Sequence, residues 1–337
     1  MRSTVEIQSY LGGKTACKRR APWSHQITSR HVAGLLSDRG PVSKERRRTL
    51  KADPAFPAAV RRTAGMLFDL HQGNRVLNLI VNDRGRFFVS LFVLDLHFRR
   101  QDEGLGLTPG RLKDMCRDQE VCSATRMTAL LALMKLGGYV EPAPHREDRR
   151  HRELIPTEKL IVHQRLRWRC HFSAAAPLLA DASRALEMLD RPVFVQGLVR
   201  LISAHYCAGF RFTDHVPTLR LFAERNGGLF VLFSLLAADR ADGLDRDTAV
   251  RVSISGLARS IGSSRAHVLK LLKDAESEGL LKRSRIGTVN IEPPLLQELH
   301  EFFALNYLML THFANITRDH VGSGREKDTS SGKTLGG

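Results

Sequence analysis

Four arginines fall within seven residues, at Arg146, Arg149, Arg150 and Arg152. A guanidinium is permanently charged and presents a planar fork of donors that matches phosphate oxygens, so this density suits a polyanion's backbone. A solvated basic hairpin is the plainer reading. The cluster lies between Gly138-Tyr139-Val140 and Leu154-Ile155, two short apolar steps that read as strands with the arginines at the tip between them. Just upstream, Met127, Leu130, Leu131 and Met134 recur at i, i+3, i+4 and i+7, one face of a helix. With that face inward, Thr125, Ala129 and Ala132 turn outward, flanked by Arg126 and Thr128. Threonine and alanine can approach a thymine methyl, and Arg126 can reach a guanine edge or a phosphate. Leu133 and Leu136 work against this, because they add apolar surface on or near the same side.

A helix, a strand, an arginine-crowded tip and a returning strand are the parts of a winged helix-turn-helix, in which one helix enters the major groove and the wing reaches the flanking backbone. The same pattern occurs twice. Leu77 to Val89 and Leu219 to Val231 share their apolar positions and one glycine at an offset of 142 residues. Leu112 and Leu257 each sit in a short helix before a turn. Val268, Leu271, Leu272 and Ala275 then match the inward face of the first reading helix, and Gly279-Leu280-Leu281 matches Gly138-Tyr139-Val140. A glycine there supplies the left-handed step that carries a helix into a strand. The outward face of the second helix is Ser263, Ala266, Lys270 and Lys273 with His267 beside it. That face is richer in point charge and poorer in base information. The second hairpin, with Arg283 and Arg285, is shorter and turns at Gly287-Thr288.

The expected fold is therefore mainly α with small β-hairpin wings: two tandem winged helix-turn-helix domains with helical connectors. Residues 1–52 read as a basic flexible arm, because the first 50 carry 11 Lys or Arg against 3 acids, in clusters such as Lys44 to Arg48. Residues 53–172 form the first domain and 173–317 a helical connector with the second. The connector patterns run from Leu178 to Leu189 and from Val193 to Ala208. Residues 318–337 read as a disordered tail. After Pro293-Pro294 a helix is expected to about Ile316, with so much leucine and phenylalanine that it predicts a homodimer contact.

The 337 residues carry 52 Lys and Arg against 35 Asp and Glu, a net charge of +17 that argues for a polyanionic partner. An anionic membrane surface is the competitor, but no run reaches the length of a transmembrane helix. The densest apolar stretch, Phe87 to Phe98, contains Asp95 and reads as a buried core helix. The five cysteines are odd in number and scattered, which points to a reducing cytoplasm without a disulfide framework. No secretory signal is expected at the N-terminus.

The first repeat resembles the multiple-antibiotic-resistance regulator (MarR) family of bacterial winged-helix repressors. The resemblance is carried by Asp148 and Arg150 at the wing tip, the apolar pair Leu154-Ile155, and Thr157-Glu158-Lys159 before the next helix. It covers about Asn82 to Lys159, and the second repeat by its helix pattern alone. It implies that Arg150, with Arg149 beside it, enters the minor groove while Asp148 braces the hairpin. It also implies a small aromatic effector between the DNA lobes and the helical connector, where Trp23, Trp168 and Phe172 offer aromatic surface. Two departures stand out: the chain is duplicated within one polypeptide, and its second wing has no Asp-x-Arg tip.

Other motifs fail on their spacing. Gly332-Lys333-Thr334 and Gly13-Lys14-Thr15 have Lys327 and Gln8 where a phosphate-binding loop needs its first glycine. Cys170-His171 and His205-x-Cys207 lack the paired spacing of a zinc site. Cys116 and Cys122 bracket the first turn, where a redox switch competes with simple burial. Neither a Ser-His-acid set nor paired carboxylates stand out, so no enzyme and no cofactor are expected. The first expectation is a sequence-specific transcriptional regulator on double-stranded DNA, its lobes forming an intramolecular pseudo-dimer. A plasmid replication initiator with tandem winged helices, and an interaction module that has lost DNA, are the alternatives.

Overall fold

A computed structural model describes residues 27–104, 106–144, 153–238, 250–251, 253–284 and 287–330. Among the described residues, the first three helices are α1 Ser29–Leu36, α2 Lys44–Ala52 and α3 Phe56–His71. Next come α4 Arg75–Val81, α5 Arg84–Glu103, α6 Pro109–Asp118, α7 Ala124–Leu136, strands β1 Val140–Pro142 and β2 Leu154–Pro156, and α8 Glu158–Ala175. Then follow α9 Ala180–Met188 and α10 Pro192–Cys207. The closing series is α11 Arg220–Ala223, α12 Gly228–Ala238, β3 Val250–Arg251, α13 Ile254–Ser260, α14 Arg265–Ser277, β4 Leu281–Arg283, β5 Thr288–Ile291 and α15 Pro293–Ser330. The molecule is mainly helical with two small antiparallel sheets.

The duplication extends to single hydrogen bonds. In the turn between α6 and α7, Val121 N donates to Cys116 O at 2.9 Å; 142 residues on, between α13 and α14, Ser263 N donates to Ala258 O at 2.8 Å. The residue before each donor is left-handed, Glu120 at φ 50° and Gly262 at φ 66°. Side-chain oxygens of Ser123 and Ser264 accept from the third helical residue of α7 and α14 and satisfy amides that the helix itself cannot. Strand order repeats as well. Leu107 bridges Leu154 in β2, and β2 pairs with β1; β3 pairs with β5, and β5 pairs with β4. β5 is thus central in its sheet, and β2 lies between β1 and the single bridge at Leu107. Because a Cβ is disfavoured in the left-handed region, Gly262→Ala is expected to cost about 1 kcal/mol. Denaturant titration reads this directly, and an unchanged midpoint would mean that the turn tolerates a side chain.

The two repeats are interleaved. Helix α3, which leads the first, packs on α12 of the second, so closely that a Cβ on Gly65 would lie 3.6 Å from that of Ala237. Helix α10, which leads the second, packs on α5 of the first: Tyr206 stacks on Phe88 with centroids 3.6 Å apart, and Arg200 pairs with Asp95 at 3.2 Å. Asp95 is wholly buried and also accepts from Arg99 at 3.0 Å, so the acid inside the Phe87–Phe98 run belongs to a core ion cluster. The helix around that run is longer than the run itself. Among the described residues no single helix is long and apolar enough to cross a membrane.

Three expectations need correction. The basic arm is not structureless over its second half: Lys44 to Arg48 lies in α2, where Arg47 and Lys51 both pair with Glu301 of α15. Residues 1–26 lie outside the described residues. The closing helix does not stop near Ile316. It runs to Ser330, through the first part of the expected tail, and residues 331–337 lie outside the described residues. Its apolar residues are also covered from within. Leu295, Leu299, Phe303, Leu305, Leu308 and Leu310 are all at most 5% exposed, packed under α2, α3, α9 and α10. The apolar surplus that predicted a homodimer contact is used inside the chain.

Candidate nucleic-acid interface

Helix α7 buries Met127, Leu130, Leu131 and Met134 and exposes Thr125, Arg126, Thr128, Ala129 and Ala132, the division that its periodicity predicts. Two details differ from a free reading face. Arg126 Nη2 donates to Asp83 Oδ2 at 2.6 Å, and Thr128 Oγ1 donates back to Ala124 O at 2.9 Å. Asp83 caps α5 by accepting from Arg86 N, and its carboxylate is 3% exposed. Arg126, at 46%, is thus half in solvent and half held by a buried acid. Leu136 at the end of α7 is 88% exposed, and Leu133 is partly buried.

Helix α14 buries Val268, Leu271, Leu272 and Ala275 and exposes Ala266, Lys270 and Lys273. Ser263 is half-buried in the preceding turn. The half-buried His267 bonds through Nε2 to Asn226 O at 2.9 Å. Lys270 stays 72% exposed beside Asp274 at 3.4 Å. Asp274 is held chiefly by Arg225, whose hydrogen bond lowers the carboxyl below its ordinary range. Lys273 and Arg265 are exposed and have no ion pair among the described residues. Arg265 went unread in the sequence because the apolar match begins three residues after it. Exposed Arg259 and Lys282 extend the basic surface.

The hairpins divide differently. Arg146, Asp148, Arg149, Arg150, Arg152 and Arg285 lie outside the described residues. In the first hairpin, Val140 pairs with Pro156 and Pro142 with Leu154. Arg283 is not free as expected. Its guanidinium and its backbone N–H both bond Glu276, whose carboxyl is lowered chiefly by that side-chain bond. This pair fixes the second hairpin to α14. At the first turn Cys116 is buried and its thiol is pushed up to about 12 by desolvation, which suppresses the reactive thiolate.

Helices α7 and α14 are tethered to one junction. Asp83 holds α7, while Arg225 and Asn226, at the matching turn of the second repeat, hold α14. The turns then join each other: Gly227 N donates to Asn82 O at 2.8 Å, and Arg84 donates to Glu224 at 2.7 Å. The separation of the two faces is set by packed structure. Compared with known protein families, with curated proteins and with solved structures, the chain shows no match.

Proposed function

We propose that this chain binds double-stranded DNA sequence-specifically as a transcriptional regulator of MarR type, through two winged helix-turn-helix lobes in one polypeptide. The observation that carries the reading is the recurrence, in both repeats, of a capped helix with an apolar inner face and an exposed outer face beside an antiparallel hairpin. The net charge of +17 supplies the long-range attraction that such a surface needs. Lobe one provides most base discrimination, through Thr125, Thr128, Arg126 and the arginine wing. Lobe two provides backbone affinity through Arg265, Lys270 and Lys273. The lobes differ, so the half-sites need not match.

Genomic footprinting of the tagged protein tests the reading. Protected sites upstream of genes support regulation, repeated direct sites at an origin favour a replication initiator, and no protection refutes both. Specific observations favour an interaction surface on lobe one as a second reading: Leu136 at 88%, with Val76 and Leu79 on neighbouring α4 at 38% and 42%.

Three variants separate the roles of the two faces. Arg126→Ala is expected to lose about 1–3 kcal/mol on the preferred site and relax sequence preference, whereas Lys270→Ala weakens all duplexes alike. Asp83→Asn keeps a good helix cap but removes the charge that holds Arg126. It is expected to tighten binding to any duplex about fivefold, the worth of about 1 kcal/mol for a part-exposed pair. Fluorescence anisotropy on specific and scrambled duplexes measures both. Equal loss of discrimination from Arg126→Ala and Lys270→Ala would refute the division of labour.

A further inference from the structure

One glycine is common to both repeats: Gly85 and Gly227 stand at the offset of 142 residues. Each marks a close approach. A Cβ on Gly85 would meet Val121 O at 3.0 Å, in the turn that opens α7. A Cβ on Gly227 would meet the Ile261 side chain at 2.8 Å, in the turn that opens α14. Each turn is therefore seated on the bare glycine of its own repeat. The two glycine segments, residues 82–85 and 224–227, are then bonded to each other, Gly227 N to Asn82 O at 2.8 Å and Arg84 to Glu224 at 2.7 Å.

A second link runs through α4. Val76 lies against the far end of α7, where a Cβ on Gly137 would stand 2.8 Å from Val76 Cγ1. Two residues along α4, the buried Asn78 donates to Ser260 O at 3.2 Å, the last residue of α13. Its Cβ would lie 3.9 Å from one placed on Gly262, in the turn that opens α14. The contacts in both links are short, and the stretches of chain between them are two or three residues long. The turn that opens α14 is thus held within about 25 Å of either end of α7.

That distance matters for a duplex. In a helix-turn-helix pair the N-terminal residues of each recognition helix reach the base edges, and successive major grooves on one face are about 34–36 Å apart. Helices whose opening turns are held within about 25 Å cannot place those residues in two such grooves while the junction stays closed. Opening it would strand the buried Asn78 amide and separate Arg84 from Glu224.

We propose that α7 and α14 address one uninterrupted stretch of major groove, with their two sets of base contacts centred no more than about seven base pairs apart at about 3.4 Å per base pair. The proposal rests on the DNA reading given above and specifies the form of the site. Two independent lobes would read half-sites a full helical turn apart. This chain reads a shorter, continuous sequence, with the contacts of Arg126 in one half and those of Lys270 in the other.

Duplexes selected by the full-length chain from a randomised library test the proposal. Base-by-base substitution of the best duplex locates the contact sets, and Arg126→Ala and Lys270→Ala assign each set to its helix. The sets are expected within about seven base pairs of each other. Inserting about four base pairs between them, which brings the halves to roughly one-turn spacing, is expected to weaken binding at least tenfold. Contact sets ten or eleven base pairs apart, a single set from one helix, or an insertion that leaves affinity unchanged or raises it would overturn the inference and leave DNA binding intact. A chain that selects no duplex would refute the DNA reading itself, and this inference with it.

Discussion

Raising salt from about 50 to about 200 mM is expected to weaken duplex binding about 10³- to 10⁴-fold, because each neutralised phosphate releases condensed counterions. About six to eight phosphates neutralised across the two proposed lobes set a log–log slope of roughly −5 to −7. The slope can be divided by substitution. Arg149→Ala with Arg150→Ala should flatten it by about one to two units, and Arg265, Lys270 and Lys273 all changed to Ala by about two to three. Arg283→Ala should alter it little, since Glu276 already neutralises that side chain. Anisotropy titrations across a salt series give each slope, and a flat series would sink the electrostatic account of binding.

Acid is expected to unfold the protein early and steeply. His71, His163 and His171 are buried together, with the rings of His71 and His163 5.2 Å apart edge to face. Burial first, and the Arg167 charge second, lower them to about 2, about 3 and about 3. The unfolded chain takes up protons at these residues near pH 6.5, and the folded chain does not. The stability gained by keeping them neutral is therefore complete above about pH 6.5 and is lost as pH falls toward 3. Each histidine contributes about 1.4 kcal/mol per pH unit in that window, so three together cost about 4 kcal/mol between pH 6 and pH 5. His97 and His312, lowered to about 4 by burial, steepen the loss further. Urea titrations at pH 7, 6 and 5 measure it, and His163→Phe should remove one histidine's share. Stability that holds constant from pH 6.5 to 5 would contradict the burial of neutral rings.

How much of this was legible in advance depended on whether the deciding contact was local. The inward faces of α7 and α14 could be read because a helix repeats every 3.6 residues and their apolar residues follow that spacing. Gly138 and Gly279 could be read because both take φ near +70° where a helix hands over to a strand. Helix α2 could not. Its anchor is an arginine and a lysine on Glu301, some 250 residues away, and no hydrophobic period announces an ion pair. Arg126 looked free because Asp83 is 43 residues upstream. Arg167 was invisible for a related reason. It lies between Arg165 and Arg169, both of which reach Asp190, and nothing in the sequence marks the middle one as half-buried with its Nη1 unbonded. The exchange of α3 and α10 was equally hidden, since an amphipathic face states that it needs a partner and not which one.

That exchange has a consequence for synthesis. A ribosome adding about 5–20 residues per second completes α3 roughly 8–30 s before it begins α12, the helix that covers it. Over that interval α5 likewise waits for α10. The nascent first half emerges with apolar faces whose proper cover has not been translated, in the concentration range where such faces aggregate. A chain terminated between the repeats would leave an orphan half, with two of its helices lacking the surface they were shaped to meet. A premature stop between the repeats therefore strips the cover from α3 and α5 as well as removing the second half.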